Sequence, residues 1–430
     1  MRALREAVVL SVIVKLLAYI NVILSIKLAL PYLGQARFGA FATATSIASF
    51  AVVAELGIGH GLVNIAATST KEGLNRHLSS AFIVSILVAA AFLVALASFG
   101  AGVHAFGHGD SLTTLACLAA IGAMVFGLPV SVFTRALVGL RAYRFVYLPQ
   151  IVGQLLATGI LVLATQYRIG PIGLLMTRAL PPVICGYIGM ATALVLPTLG
   201  LRIQFSLASM ESVRHIVSIG IAPFVSQVAS GLLFSAQTWA VAALCGVAAS
   251  VEPFSISRLT SIALMSAALL TQPLWPEYAR LAAANAWPEI RRTLAISTSV
   301  VAGLNGAFLL TLAATWTHWV HFLHIPVEQE SWTVFALLAT VSLLMCVRDA
   351  LNMASLGIGR APFSTTVFTI SSIAVAVIVA TSQGGWRVPH VLTIFLVAEA
   401  CLIVACIAEL RRAETADRTR TRKFANAGDL

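Results

Sequence analysis

Charged residues are scarce in this sequence. Only 10% of its 430 residues are Asp, Glu, Lys or Arg, whereas 59% are hydrophobic, and the mean hydropathy is +0.94. A soluble domain carries about a quarter charged residues, so this composition excludes a soluble globular protein. It predicts instead an integral membrane protein that crosses the bilayer many times.

Motifs for covalent chemistry and for nucleotide hydrolysis are also missing. The six cysteines are scattered through apolar runs and form no CxxC pair, which is typical of buried, reduced thiols. No GxxxxGK[ST], GxSxG or HExxH sequence occurs. We therefore expect neither an enzyme nor a metal site, and no cofactor. A driving force would come from a gradient of H⁺, of Na⁺ or of the substrate itself.

The hydrophobic residues group into twelve runs, each long enough for a helix that crosses the bilayer, which takes about 20 residues. The runs lie at approximately 7–30, 39–63, 78–99, 112–136, 147–166, 172–195, 214–236, 253–274, 293–315, 331–355, 363–381 and 389–410. Lys15 and Asn21 interrupt the first run and no clear cleavage site follows it, so we interpret it as a spanning helix, not a signal peptide. The sequence predicts an all-α polytopic fold of about 12 transmembrane helices.

Arginine and lysine are distributed unevenly between the two sides of these runs. With the N-terminus inside, 20 of the 27 basic residues fall on the inner side, four on the outer side and three within spans. This asymmetry predicts cytoplasmic N- and C-termini in a bacterial inner membrane. It also explains the net charge of +11 without nucleic acid as a partner. The basic tail would face anionic membrane lipids.

The twelve runs suggest a duplication of six. Phe38 and Phe254 follow the first and seventh runs, 216 residues apart, and Arg141 and Arg360 end the fourth and tenth, 219 residues apart. Both halves then enter the membrane in the same sense, as a parallel repeat about a pseudo-two-fold axis with a central cavity between the lobes. The predicted segments are a six-helix lobe at 1–198, an amphipathic cytoplasmic linker at 199–213, a six-helix lobe at 214–410 and a basic tail at 411–430.

Four segments in this order resemble one family. They are 32–67, 135–153, 220–246 and 272–293, about a quarter of the chain. In the first, YLGQARFGAFATATSIASFAVVAELGIGHGLVNIAA, a Leu-Gly…Phe-Gly turn precedes a helix with an acidic-Leu-Gly-x-Gly end. The matching residues are Leu33, Gly34, Phe38, Gly39, Glu55, Leu56, Gly57 and Gly59. The pattern resembles the polysaccharide-transport branch of the multidrug/oligosaccharidyl-lipid/polysaccharide exporter superfamily, the oligosaccharide-lipid flippases.

The resemblance implies a flippase. Such a protein moves a polyprenyl-diphosphate-linked oligosaccharide, an O-antigen, capsule or exopolysaccharide repeat unit, from the cytoplasmic to the periplasmic leaflet by alternating access. Its partners would be the lipid-linked oligosaccharide, membrane lipids and other polysaccharide-assembly proteins. Gln237 and Thr238 stand where family members often carry an acidic-basic pair, which puts a coupling role at that point in doubt. Twelve spans, not fourteen, argue against the lipid II branch.

Charged side chains within the predicted spans are the first candidates for function, because a charge in the bilayer costs a few kcal/mol or more. They are Lys15, Lys27, Glu55, Arg178, Arg258, Asp349 and Glu399. Lys15 and Glu55 form either a structural ion pair or a cavity pair whose lysine meets substrate phosphate. Lys27, Arg178 and Arg258 either reach the outer surface or form a ring of cations that holds a diphosphate.

The remaining candidates also have two interpretations each. Glu399, in the middle of the last span, is either an interhelical hydrogen-bonding group or the carboxylate that couples transport to an ion gradient. Asp349 is interpreted as an interfacial partner of Arg348. Asn21, Gln227 and Gln237 either bind sugar hydroxyls in the cavity or join helices.

Gly57, Gly59 and Gly61 weaken a helix end where the second span reaches the cytoplasm. They would act as the hinge of an inner gate or allow close helix packing.

Three other functions compete with the flippase. An ion-coupled multidrug or metabolite exporter of the same superfamily would use the same fold, with a mostly acidic cavity for cationic substrates. A membrane-bound glycan-modifying enzyme would need catalytic residues on a sizeable outer loop, and the longest such loop, about 316–330, contains Glu328 and Glu330 but no Arg or Lys. A non-transporting scaffold or lipid scramblase is the third.

Overall fold

The structure is a computed structural model. It describes residues 2–48, 55–106, 111–271, 274–326, 331–358, 366, 370–371, 373–375, 377–378, 381 and 386–427. The described residues are almost entirely helical and include no strand. Contacts divide the chain into a first unit, Met1–Val251 with Leu323–Pro326, and a second unit, Glu252–Phe322 with Val327–Leu430. The all-helical fold predicted from the composition is confirmed.

The first unit contains eight helices in its described residues. They are α1 (Arg2–Ala48), α2 (Ile58–Thr68), α3 (Lys71–Phe106), α4 (Ser111–Phe126), α5 (Leu128–Gly139), α6 (Tyr143–Gln166), α7 (Pro171–Val195) and α8 (Met210–Cys245). Helix α1 packs against α4, α6, α7 and α8, while α2 packs against α5 and α8. Helices α6 and α7 lie along each other.

The first two predicted spans differ from the structure. Helix α1 runs from the first span into the second without a loop, with a kink at Gly34, whose φ is 73°. The second span, predicted as one helix over 39–63, is divided: α1 ends at Ala48, and a turn at Glu55–Gly57 precedes α2. Gly57, the residue before α2, has φ 76°, a left-handed conformation that a glycine adopts without steric cost. Residues 49–54 lie outside the described residues.

The linker before α8 is bound to α3. Between Gly200, whose φ is 62°, and the start of α8 it contains one 3₁₀ turn, at Phe205–Leu207. Asn75 accepts a hydrogen bond from the Arg202 amide at 3.0 Å, and the hydroxyls of Ser79 and Ser80 accept from the next turns of the linker. The segment predicted as an amphipathic tether is therefore fixed to the first unit by polar side chains of α3. The predicted lobe boundaries stay a prediction.

Six helices of the second unit have defined bounds among the described residues. They are α9 (Val251–Thr271), α10 (Trp275–Ala283), α11 (Trp287–Ala314), α12 (Trp316–Leu323), α13 (Ser331–Gly357) and α14 (Val388–Ala427). Helix α13 packs against α10, α11 and α14. The short helix α10 is amphipathic, and its Tyr278 and Leu281 pack with Trp287 and Ile290 of α11. The predicted span at 363–381 lies mostly outside the described residues.

Eight stretches of the described helices are long and apolar enough to cross a membrane. They are Val9–Ile47, Lys71–Ser98, Thr114–Gly139, Tyr143–Gln166, Pro171–Val195, Trp287–Ala314, Ser331–Ser355 and Val388–Ala416. Each coincides with a predicted run, apart from the fusion at the N-terminus. The helices therefore form where the apolar runs predict them.

Candidate functional site

A cavity of about 440 Å³ lies within the first unit. Its walls come from α1, α4, α5 and α7 and from the turn before α2, and most of its lining is apolar. The lining residues are Thr45, Glu55, Ala120, Ala123, Met124, Gly127, Leu128, Ser131, Leu175, Arg178, Ala179, Pro182 and Val183. A cavity of this size and character, with a few polar groups, is typical of a site for a small organic molecule.

Glu55 is the acidic group of this cavity. The turn between α1 and α2 holds it, and its side chain is 5% exposed. The Nε atom of Arg135, on α5, lies 3.7 Å from Glu55 Oε1, and the Arg135 side chain is 35% exposed. At this distance the two groups form an ion pair, but the N···O separation is too long for a good hydrogen bond. The carboxylate is therefore balanced by a partner that reaches water. Lys15, the partner considered from the sequence, is replaced in this role by Arg135.

Arg178 is the basic group of the lining. It lies on α7, half-buried, one turn before Pro181 and Pro182. Arg178 and Glu55 were both predicted to line a central cavity between the lobes; the structure places both in the lining of this cavity within the first unit, and the central cavity stays a prediction. Thr45 and Ser131 supply hydroxyls from α1 and α5. The site can thus accept an apolar body and hold a polar or charged end through Arg178 and Glu55.

The candidates on α1 lie elsewhere in the unit. Asn21 is buried, and its amide Nδ2 donates to Gln154 Oε1 of α6 at 3.4 Å, which joins two helices. Lys15 and Lys27 are half-buried on α1. They are separated by twelve residues, about 18 Å along a helix, so they do not meet one substrate group together. The predicted ring of Lys27, Arg178 and Arg258 stays a prediction.

The three other substrate-binding candidates belong to different surroundings. Gln237 is buried on α8. The side chain of Gln227 lies outside what the structure describes. Arg258, on α9 of the second unit, places its guanidinium carbon 4.9 Å from the centre of the Phe254 ring, a cation–π contact. Their substrate-binding role stays a prediction.

The three glycines are positions of close approach within the first unit. A Cβ at Gly57 would lie 2.8 Å from the Gly220 carbonyl oxygen of α8, and one at Gly61 would overlap the Ile216 carbonyl oxygen. A Cβ at Gly59 would meet the Glu55 carboxylate and lie 2.9 Å from Arg135 Cγ. These contacts match the packing interpretation, since small residues let membrane helices approach closely. The hinge role stays a prediction.

The second unit holds a buried cluster that the sequence did not reveal. Arg348 on α13 is 0% exposed, and its Nη1 donates to both carboxylate oxygens of Glu399 on α14 at 2.6 and 2.8 Å. Its Nη2 donates to Asp349 Oδ1 at 2.8 Å. Asp349 therefore pairs with Arg348 as predicted, but Arg348 is fully buried and not interfacial. Its hydrogen bonds to Glu399 match the interhelical interpretation of that residue, and the coupling role of Glu399 stays a prediction. Arg348 lies nine residues before the end of α13 at Gly357, too deep to reach the surface.

Sequence reasoning missed Arg135 and Arg348 for the same reason. Both lie within predicted runs, 112–136 and 331–355, but were counted with the basic residues of the inner side and not among the charges within spans. A glutamate that stays ionised when buried is stabilised by a cation nearby. A basic residue near the end of a neighbouring span was therefore the sequence signal that would have identified both arginines.

Solved structures of similar fold exist, although no family model and no curated protein matches the sequence. An inward-facing multidrug resistance MATE family transporter of the MOP superfamily matches with a TM-score of 0.68 at 14% identity, over 93% of this chain and 95% of that one. An outward-facing transporter of the same description matches with a TM-score of 0.65 at 12% identity, over 98% and 96%.

A third structure, a MOP superfamily transporter from Pyrococcus furiosus, matches with a TM-score of 0.62 at 13% identity, over 96% of this chain and 95% of that one. Its description states that the reverse polarity of its binding pocket suggests a different function. The likeness to all three shows the fold of this chain: about twelve helices in two lobes, as in transporters of the MOP superfamily.

Proposed function

We propose that this protein is a membrane exporter that works by alternating access. The observation that carries the proposal is the likeness, over at least 93% of the chain, to one transporter solved facing inward and one solved facing outward. A fold that supports both states can present one site to each side of the membrane in turn. The substrate shifts this equilibrium only as far as it binds one state better than the other.

The substrate that we propose first is a small amphipathic organic molecule. The cavity of about 440 Å³ is within the range of sites for such molecules, about 300–1,000 Å³. Its apolar wall suits a hydrophobic body, and Glu55 and Arg178 suit a polar end. Two MATE structures that resemble this chain in fold are described as multidrug resistance transporters, which supports the same substrate class.

A lipid-linked oligosaccharide is the second candidate. Arg178 lines the cavity, and arginine is well suited to phosphate. The four sequence segments that resemble oligosaccharide-lipid flippases point to the same substrate. In this case the diphosphate would be held near Arg178 while the polyprenyl tail stays in the bilayer.

The location that we propose is a bacterial inner membrane, with both termini in the cytoplasm. The 20 basic residues assigned to the inner side against four on the outer side support this orientation. Single-cysteine labelling with an impermeant maleimide, in a variant without the six native cysteines, tests it. Cysteines introduced at Thr419 and Ala427 should react only after the membrane is opened, and labelling in intact cells would reverse the orientation.

Transport in proteoliposomes tests the function. Purified protein is reconstituted, and two reporters are measured in parallel: extrusion of a fluorescent amphipathic dye against a pH or Na⁺ gradient, and access of an impermeant glycosidase to a radiolabelled polyprenyl-diphosphate glycan. Dye extrusion without glycan movement supports the small-molecule exporter. Glycan movement without dye extrusion supports the flippase. No movement of either, with the protein folded, contradicts the exporter proposal.

Variants connect transport to the cavity. Arg178→Gln removes its basic group, and Arg37→Gln removes an exposed arginine of α1 in the same unit, with the same change in net charge. We expect Arg178→Gln to reduce transport of an anionic substrate at least tenfold, because the variant loses roughly one to two charge-assisted hydrogen bonds to the substrate. Arg37→Gln should transport as the unmodified protein does. Equal rates for the two variants would exclude Arg178 from the binding site.

A further inference from the structure

A second, smaller pocket of about 180 Å³ lies within the second unit, where two spanning helices end side by side. It is formed by the first two turns of α11, the end of the spanning part of α14 and one residue of α13. Its lining consists of Trp287, Ile290, Arg291, Leu294, Leu351, Ile407, Leu410, Arg411 and Glu414. Because Trp287–Ala314 and Val388–Ala416 are both long and apolar enough to span the bilayer, this pocket lies at the membrane surface.

The pocket has an apolar side and a basic rim. Leu294, Leu351 and Ile407 give a surface that suits the methylene groups of an acyl chain. The rim carries Arg291 and Arg411, both exposed. The Arg291 Nη1 atom lies 3.6 Å from Glu414 Oε1, beyond a good hydrogen bond, so its N–H groups remain available to a stronger acceptor. Arginine is well matched to phosphate oxygens, to which it can donate two parallel hydrogen bonds.

Trp287 provides an independent observation. It lines the pocket and is 6% exposed, yet its indole Nε1 has no hydrogen-bond partner among the described residues. A buried N–H group without an acceptor is unfavourable, and native proteins rarely leave one. An ester or phosphate oxygen of a ligand in the pocket would accept this bond. The start of α11, where the helix dipole is positive, also favours an anion.

We propose that this pocket binds an anionic phospholipid, with its phosphate at Arg291 and Arg411, an ester oxygen at the Trp287 indole and an acyl chain along the apolar side. A lipid fits better than a soluble phosphate compound because the apolar side adjoins the lipid-facing surface, where Ile407 is exposed. The proposal does not depend on which substrate is exported.

The chain contains its own matched controls. Each rim arginine is followed by an arginine that does not line the pocket: Arg291 by Arg292, and Arg411 by Arg412. Replacing either member of a pair with glutamine changes the net charge equally at the same height of the membrane. If the basic residues only attract an anionic surface diffusely, both variants of a pair should lose the same affinity for the lipid, about fivefold for each variant. A built site predicts unequal effects.

The experiment measures binding of phosphatidylglycerol to the delipidated, full-length protein in a neutral detergent by native mass spectrometry, with phosphatidylcholine as the neutral lipid. We expect the unmodified protein to bind phosphatidylglycerol preferentially. Its affinity should be at least tenfold weaker in Arg291→Gln and Arg411→Gln. In Arg292→Gln and Arg412→Gln the affinity should stay within about twofold of the unmodified protein. Trp287→Phe keeps the ring but removes the N–H donor, and should weaken binding by about fivefold.

Two results would overturn the proposal. Equal losses within both arginine pairs would show diffuse attraction without a site. Competition by glycerol 3-phosphate at the same concentration as the lipid would show that the pocket recognises a soluble phosphate compound, since the acyl chain would then contribute nothing. Size-exclusion profiles and thermal midpoints confirm that each variant is folded, and because all four arginines are exposed, their replacement should leave the fold intact.

Discussion

The two units bury acidic groups with arginine in different ways. In the first unit Glu55 and Arg135 are 3.7 Å apart, the arginine is partly exposed, and the carboxylate lines a cavity. In the second unit Arg348 is fully buried and donates to Glu399 and Asp349 at 2.6 to 2.8 Å. The first pair has the looseness that a site requires if a substrate is to displace a partner. The second has the geometry of a fixed connection between two spanning helices.

The difference teaches that a charge within a span does not by itself mark a site. A buried ion pair with several short hydrogen bonds is strongly coupled, and removing one partner leaves the others without compensation. A looser pair next to a cavity loses little when one partner changes. Replacing a charged residue should therefore mainly lower stability in the second unit and mainly lower transport in the first.

The largest expected effect is the loss of stability on breaking the second cluster. Arg348→Gln leaves Glu399 buried without its cation, and we expect the free energy of unfolding to fall by about 3–5 kcal/mol. The measurement is the thermal midpoint of the purified protein in detergent.

The control for this prediction replaces both groups with apolar ones. The double variant Arg348→Met, Glu399→Met removes the buried charges together, while Asp349 remains partly exposed to water. We expect its thermal midpoint to recover most of the loss. A double variant no more stable than Arg348→Gln would contradict the ion pair as the cause.

A Glu399→Gln variant that stays folded but whose transport no longer depends on the ion gradient would instead favour the coupling role of Glu399.

Close backbone packing in the first unit gives the second largest effect. A methyl group at Gly61 would overlap the Ile216 carbonyl oxygen of α8, and backbone cannot turn away as a side chain does. Gly61→Ala should therefore cost about 1–3 kcal/mol in the free energy of unfolding. Gly231→Ala, on α8 with no atom near the added methyl, should be neutral or slightly stabilising. Similar midpoints for the two variants would show that α2 and α8 do not pack this closely.

Glu55 should show the opposite pattern, with little effect on stability and a large one on transport. Glu55→Gln removes an ion pair whose arginine is partly exposed, so we expect a loss of about 1 kcal/mol or less. Transport of a cationic substrate should fall at least tenfold, because about one charge-assisted hydrogen bond to the substrate is lost. Thermal midpoints and proteoliposome rates are compared in the same preparations. A strongly destabilised variant would place Glu55 with the fixed cluster and not with the cavity.

The smallest effect concerns an exposed pair outside the spans. The hydrogen bonds of Arg280 lower the pKa of Glu277 below its usual value. The stability it contributes is present above its pKa in the unfolded chain and is lost as the pH falls through its lowered pKa in the folded protein. Because the pair is exposed and spans one helical turn, Glu277→Gln should have the same thermal midpoint as the unmodified protein at pH 7 and at pH 4. A clear difference at pH 7 that becomes smaller at pH 4 would show that the pair stabilises α10 more than its exposure predicts.

The candidate site was only partly predictable. Glu55 and Arg178 were identified because a charge in an apolar run is costly wherever it lies, and the structure places both at one cavity. Their neighbours Thr45 and Ser131 gave no signal, since hydroxyls in membrane helices are common and usually bond to their own backbone. Asn21 was identified by the same logic as Glu55, yet it joins α1 to α6. Polarity within a span shows that a group needs a partner but not whether that partner is a substrate.

The sequence by itself determined the class of fold and the position of most helices. Apolar runs of about 20 residues become spanning helices because the bilayer leaves no other way to satisfy the backbone. Only the tertiary structure decided the pairing of charges. Arg135 and Arg348 sit near run ends, where the sequence equally allows a loop, and their partners come from other helices. A hydropathy pattern records how much polarity each segment carries, whereas the choice of partner depends on which helices pack together and at what depth.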